Sequence, residues 1–306
     1  DKWRTSAEFF TNNVLAEQHN AGTHDTGFKM FCSFGNGYRL TDNEDYKTIL
    51  ITSAKTLSTR FNPVVGCIRS WDHNKDKWQY PVIIDNMMNL ELLFWATKAT
   101  GDSSFYNIAI SHARKTMKNH FREDYSSWHV INYDTLNGEI LDRHTHQGYA
   151  NESSWTRGQA WGLYGFTMLF RETKDPIYLD HAINIAGFIL NHKNLPDDYI
   201  PYWDFDAPDI PHAPRDASAA AIMCAALYEL QGYVPSNKDQ YLRAADKIMQ
   251  SLSSDNYRAI AGENHHFLLK HAVGHMPKDS EIDVPSIYAD YYFLEANMRK
   301  LEIGNW

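Results

Sequence analysis

Apolar residues in this chain come in helical bursts, not in the alternation that marks strands. Four segments share one phrase: DNEDYKTILITSAKTL, GDSSFYNIAISHARKTM, KDPIYLDHAINIAGFIL and KDQYLRAADKIMQSL. Each has Asp near its start, then Tyr, then apolar residues three or four positions on, with Lys, Arg, Asp or His on the other face. That spacing predicts an amphipathic helix buried on one side. The leading aspartate serves as an N-cap or as a favourable first-turn charge. The aligned tyrosines Tyr46, Tyr106, Tyr178 and Tyr241 recur at steps of 60, 72 and 63 residues.

A second helix, apolar nearly all round, precedes three of the four: NMMNLELLFWATKAT, RGQAWGLYGFTMLFRET and ASAAAIMCAALYEL. The shorter TGFKMFCSFG takes that place before Tyr46. The repeat is therefore a helical hairpin of a buried inner helix and a half-exposed outer one. Residues 2–19 read as an outer helix without an inner partner, and 287–301 as an inner helix without an outer one. Such pairs stack into an open solenoid or close into a barrel. Closure is favoured, because the chemically interesting residues fall in the long loops that a barrel gathers at one end. The expectation is an all-α chain, a six-hairpin (α/α)6 barrel, forming a single domain over 1–306. Ten helices instead of twelve make it short by about two at the N-terminus.

Composition narrows the function. With 306 residues and 43 % hydrophobic content there is ample material for a core, and 14 % aromatics exclude disorder. A net charge of −9 argues against a protein that coats nucleic acid or an anionic membrane. Mean hydropathy is −0.52, and no stretch of about 18 apolar residues predicts a membrane span. Cys32, Cys67 and Cys224 are far apart and form no C-x-x-C pair, so neither a disulfide framework nor a zinc site is indicated. Nine Trp, 18 Tyr and 15 His suit a carbohydrate site, but they suit an aromatic-rich core too.

Two carboxylates stand out. Asp25, in THDTGF beside His24 and Gly27, lies at the mouth of an inner helix, where it either caps that helix or acts in a site. Asp85, in VIIDNMMNL, follows three branched apolar residues at the start of a buried helix. Burying a carboxylate there is costly unless it is paired or protonated, so it suits a general acid as well as a cap. The two stand 60 positions apart, one repeat, and so predict the same end of neighbouring inner helices. In the segment 144–166, Gln147, Trp155, Arg157 and Trp161 gather at a loop–helix junction. Arg157 and Trp161, at i and i+4, share a helix face. An Arg fork beside a Trp plane grips a carboxylate and stacks on a sugar, or else pairs with a local Asp among core tryptophans. His129 lies in a further loop; Arg215–Asp216 reads as a structural ion pair and cap, and Trp203, Asp204 and Asp206 fit either role.

HDTGF, VIIDNMMNL, HQGYANESSWTRGQAWGLYGF, LPDDYIPYWDFDAP, RDASAAAI and YADYYFLEA, in this order, resemble the unsaturated glucuronyl hydrolases, glycoside hydrolase family 88. The resemblance implies a six-hairpin α/α barrel and removal of the 4,5-unsaturated uronic acid that polysaccharide lyases leave on glycosaminoglycan fragments. Disaccharides and oligosaccharides from chondroitin, hyaluronan or heparin-type chains are the implied substrates. The chemistry it implies is hydration of a vinyl ether. Asp85 protonates C4 and helps water add at C5, and the hemiketal then opens and expels the other sugar. Asp25 matches the second essential carboxylate, and His24, His129, Gln147, Trp155, Arg157 and Trp161 match the binding residues, with Arg157, His24 and His129 supplying local positive charge. No metal or organic cofactor is implied, and neither a nucleic acid nor a membrane is a partner. A bacterial protein, periplasmic or cytoplasmic with the periplasm favoured, and a monomer or weak dimer are expected.

The family's upstream aromatic segment has no counterpart here, so a chain lacking it is expected to be inactive or unstable. The Ser/Lys-rich loop of members that prefer sulfated disaccharides is replaced by LLKHAVGHMPKDSEIDVPSIYADYY, whose basic residues are Lys270, His271, His275 and Lys278. Two other readings are a rhamnogalacturonyl hydrolase on pectin fragments and a non-catalytic sugar-binding scaffold. The RGQAW and YWDF segments favour the glycosaminoglycan branch, and retention of both carboxylates speaks against the scaffold.

Overall fold

The computed structural model describes residues 2–301; residue 1 and residues 302–306, which the single-domain reading includes, lie outside the described residues. Two compact units divide the chain, one of Asp1–Asn119 with Ile131–Asp142 and one of His120–Val130 with Arg143–Trp306.

The first unit opens with α1 (Lys2–Asn12) and a 3-10 turn (Leu15–His19), where the sequence predicts one continuous helix over 2–19. An inner helical stretch follows as α2 (Thr26–Met30), a π-turn (Phe31–Gly35) and α3 (Asn36–Thr41), and the outer α4 (Glu44–Ser58) packs on it. Short strands β1 (Phe61–Asn62) and β2 (Cys67–Ile68) pair antiparallel. After them come β3 (Pro81–Ile83), a 3-10 turn (Ile84–Asn89), α5 (Leu90–Thr100) and α6 (Ser103–Asn119). Strands β4 (Val130–Tyr133) and β5 (Ile140–His144) extend β3 into a sheet of order β3-β4-β5. The predicted pattern of inner and outer helices is present, and the loops it left blank contain the strands.

The caps show how the repeat works. Asp175 accepts from Ile177 N at the start of α8, and Asp102 accepts from Ser104 N at the start of α6. At α4 the capping acceptor is Asn43, not an aspartate. The tyrosine register also shifts once. Tyr46, Tyr178 and Tyr241 are buried, but Tyr106 is 38 % exposed and its neighbour Phe105 fills the core position instead. One residue along a helix turns a side chain by about 100°, so the phrase aligned by its tyrosines is out of phase there.

The second unit comprises α7 (Thr156–Thr173), α8 (Pro176–Leu190), α9 (Ala217–Leu230), α10 (Lys238–Leu252), the hairpin β6 (Ala272–His275)–β7 (Ser280–Val284) and α11 (Ile287–Lys300). Inner helices α7, α9 and α11 pack on one another, α8 on α7 and α10 on α9. α9 is buried along nearly its whole length, and its alanines let neighbours approach on every side. In α10 the buried residues Tyr241, Ala244, Ala245, Ile248, Met249 and Leu252 follow the 3.6-residue period. Glu229 of α9 closes one end of the set, accepting from Arg171 of α7 and pairing with Arg299 of α11. Burial pushes its carboxyl up, but Arg171 and Arg299 outweigh this and hold it below the usual value.

His181 of α8 gives this unit a pH dependence. It sits in a box of Phe121, Phe166 and Tyr125, with ring centroids at 4.4, 4.3 and 5.5 Å. Burial lowers its pKa to about 4. The unfolded chain takes up the proton first, so this contribution is complete above pH ~6.5 and is lost as pH falls through about 4, about 3 kcal/mol in all. Urea denaturation from pH 7 to 4 is expected to show that loss, and His181→Phe to flatten it. An unchanged slope in the variant would assign the acid sensitivity elsewhere.

Candidate active site

In the first unit, the turns that carry Asp25 and Asp85 lie directly against each other. Gly27 makes this possible: a Cβ there would stand 2.7 Å from Asn89 O and 2.9 Å from Asn89 Cα, closer than real contacts allow. Phe28 N donates to Asn89 Oδ1 at 2.7 Å across the same junction. The two-turn arrangement expected from the 60-residue spacing is thus present, fixed by backbone contact. Gly27→Ala is expected to destabilise the chain by about 1–3 kcal/mol through overpacking, measured by chemical denaturation. Wild-type stability in that variant would show the junction to be compliant.

Asp25 occupies the N-cap position of α2 but makes no capping hydrogen bond. Its Oδ1 instead lies 3.1 Å from His24 Nε2, and the carboxylate is about half exposed. His24 itself is buried, with Nδ1 2.7 Å from Ser70 O. A carbonyl only accepts, so Nδ1 carries a proton. Asp25 Oδ1 thus stands against the other ring nitrogen, and the two side chains form one His–Asp pair.

Asp85 lies in the first turn of the 3-10 segment, whose N-cap position belongs to Ile83. The buried α-helix predicted to start at this point begins only at Leu90. Asp85 is half-buried between the buried Ile84 and Asn86. Behind it Asn86 Nδ2 donates to Ile68 O at 2.8 Å and to Ser70 Oγ at 3.0 Å. Ser70, Asn86 and Asn89 form the scaffold of this region, and the sequence reading passed over all three. Ser70 lies in an irregular loop where no periodicity marks it. Asn86 and Asn89 stand in the segment read as apolar nearly all round, although an Asn pair on a buried face is itself a signal of an internal network.

In the second unit, Trp155 and Arg157 begin α7. Arg157 is buried, and its Nη1 donates to Asp216 Oδ2 at 2.7 Å and to Val273 O. Its Nη2 donates to Gly274 O at 2.8 Å, and Gln147 Nε2 donates to the same carbonyl at 2.9 Å. Both predicted binding residues therefore hold the backbone of β6. The aromatic plane beside the guanidinium is Trp155 at 4.6 Å, with Tyr288 at 5.2 Å, not Trp161. Trp161 is buried and packs against Tyr288 and Tyr292. Asp216 caps α9 as expected, accepting from Ser218 N and Ala219 N. Its ion-pair partner is Arg157, whereas Arg215 pairs with Asp198 at 2.9 Å.

His129 stacks on Trp155 with ring centroids 4.4 Å apart. Its Nδ1 accepts from His146 N at 3.1 Å and from Gln147 N at 3.2 Å, which places the proton of the neutral ring on Nε2. Burial, then His146 and Arg157, push its pKa well below the ordinary value. His129 is neutral, and the charge of Arg157 is balanced by Asp216. The local positive charge expected from these two residues is therefore not there. Asp204 proves structural: its carboxylate accepts from Tyr149 N, Ser153 Oγ and Asp206 N and so shapes the loop leading to α7. Burial raises its pKa.

No protein-family model matches the sequence. An unsaturated glucuronyl hydrolase of Formosa agariphila is 51 % identical over 299 residues, 97 % of this chain and 74 % of the relative. The chain belongs to the unsaturated glucuronyl hydrolase family. An unsaturated chondroitin disaccharide hydrolase of Streptococcus agalactiae is 34 % identical, over 94 % of this chain and 71 % of its own. Among solved structures, an unsaturated glucuronyl hydrolase specific for heparin matches with TM-score 0.96 and 51 % identity, over 99 % of this chain and 81 % of that one. The solved members are α/α barrels, the all-α class read from the helical pattern. Variants of the Streptococcus agalactiae hydrolase change one or the other of two aspartates to Asn, and these are separated by as many positions as Asp25 and Asp85. One such variant, at TM-score 0.84 and 30 % identity over all of this chain and 77 % of its own, is complexed with dGlcA-GalNAc6S. This family is an enzyme family, and the chain is a glycosidase of it.

Proposed function

We propose that the chain removes the non-reducing-end 4,5-unsaturated glucuronic acid from lyase-generated glycosaminoglycan oligosaccharides, with Asp85 as general acid and base and Asp25 as supporting carboxylate. The observation that carries this assignment is the contact of the two aspartate-bearing turns at Gly27 and Asn89. The matching separation of the two aspartates changed in the Streptococcus agalactiae variants supports it. In the proposed reaction the Asp85 carboxylic acid gives its proton to C4 of the double bond. Positive charge develops at C5 and on the ring oxygen, and water adds at C5. The water's proton goes to the Asp85 carboxylate, which restores the acid. The hemiketal then opens and the aglycone leaves. The His24–Asp25 pair lies in the adjoining turn, where it orients hydroxyl groups of the sugar. Trp155 and His129 offer stacked rings in the second unit, and Arg157, Gln147 and Trp161 are assigned a part in sugar binding through the β6 backbone and the Tyr288–Tyr292 face.

Heparin- and chondroitin-type disaccharides are the favoured substrates, after the relatives named for them, with hyaluronan fragments as a further class. No helix among the described residues is long and apolar enough to cross a membrane. We place the protein in a bacterial periplasm, as a monomer or weak dimer. Incubation with unsaturated disaccharides is expected to abolish the ultraviolet absorbance of the 4,5 double bond. Unchanged absorbance with heparin, chondroitin and pectin fragments alike would sink the reading. A mechanism that needs protonated Asp85 also loses rate as pH rises.

A further inference from the structure

We propose that Ser70, which no motif marks, is the positioning residue that holds the Asp85 turn and the His24–Asp25 pair in register; this rests on the hydrolase reading above. Ser70 is 1 % exposed, in the loop between β2 and β3. All of its polar groups point into one or the other aspartate-bearing segment. Its N–H donates to Pro81 O at 2.8 Å, which fixes the start of β3. Its Oγ accepts from Ile83 N at 2.9 Å, two residues before Asp85, and from Asn86 Nδ2 at 3.0 Å, one residue after it. Asp85 is thereby bracketed by two bonds to a single oxygen atom. On the opposite side, Ser70 O accepts from His24 Nδ1 at 2.7 Å and so aims Nε2 at Asp25 Oδ1.

The chemistry explains why such a clamp matters. Protonation of an alkene carbon has no hydrogen-bonded ground state to guide the acid, so the carboxyl must be held by the protein alone. A displacement of about 1 Å costs on the order of 10²-fold in rate. Ser70 acts through Ile83, Asn86 and His24, the residues its hydrogen bonds reach.

Ser70→Ala removes Oγ and keeps the backbone carbonyl. It is expected to lower kcat on an unsaturated disaccharide about 10- to 100-fold, with KM within about twofold, at a temperature well below melting. Ser70→Thr, which restores the hydroxyl, is expected to recover most of kcat. A Ser70→Ala protein that melts earlier but keeps wild-type kcat would reduce Ser70 to a structural residue and overturn the proposal. An inactive wild type would instead remove the hydrolase reading, and the clamp with it. Should Ser70→Ala fail to fold, nitrogen-15 spectra of histidine-labelled wild-type protein test the other arm. A proton on His24 Nδ1 is expected, and an unprotonated Nδ1 would break the path from Ser70 to Asp25.

Discussion

Asp85→Asn is expected to lower turnover of an unsaturated disaccharide by about 10³-fold or more, with the fold intact. Asn has the shape of Asp but can neither give a proton to C4 nor take one from the attacking water, so both proton transfers of the proposed reaction fail together. General acid–base catalysis is worth roughly 10²–10⁴-fold where it carries the step. The surroundings of Asp85 explain why its replacement should spare the structure. Its turn is held by neighbours, Ile83 and Asn86 on Ser70 and Asn89 on Phe28, and the residue itself is half-buried. The measurement is the decay of double-bond absorbance, paired with a thermal melt of each protein. A variant that keeps a tenth of the wild-type rate would move the general acid to another residue.

Asp216→Ala is the second large effect, on stability. The Arg157 and Asp216 side chains are 3 % and 0 % exposed, so the pair is out of water. Forming such a pair gains little over apolar packing, but removing one partner leaves a buried charge uncompensated, at a cost of about 3–5 kcal/mol. The same substitution deletes the N-cap of α9, about 1 kcal/mol more. Arg157 also supports Val273 O and Gly274 O, so the β6–β7 hairpin should loosen with it. Urea denaturation is expected to show a loss of that order, and hydrogen exchange to show faster exchange in β6. Arg215→Ala is the control: its pair with Asp198 is partly exposed and should matter far less. Equal losses in the two variants would contradict the pairing described.

The comparison of Arg157 with Arg215 also marks the limit of sequence reading. Adjacent in the chain, Arg215 and Asp216 look like partners, yet each turns to a residue brought by another segment. Periodicity reports which face of a helix is buried; it carries nothing about which distant side chain meets an arginine. The same limit applies at Asp25. Position alone left it either a cap or a site residue, and only the placement of Ser70 O against His24 shows that its carboxylate faces an imidazole.

The pattern of apolar and polar positions determined the helical hairpins, the inner and outer roles, and the placing of two carboxylates one repeat apart. It could do so because burial of one face or of all faces leaves a local record in the residues of each helix. Tertiary structure alone decided the 3-10 turn under Asp85, the neutrality of His129, the occupation of Arg157 by Asp216 and β6, and the clamp at Ser70. These are hydrogen bonds and charge balances between segments tens of residues apart, set by burial and by the fixed directions of carbonyl and amide groups, and no spacing within one segment records them.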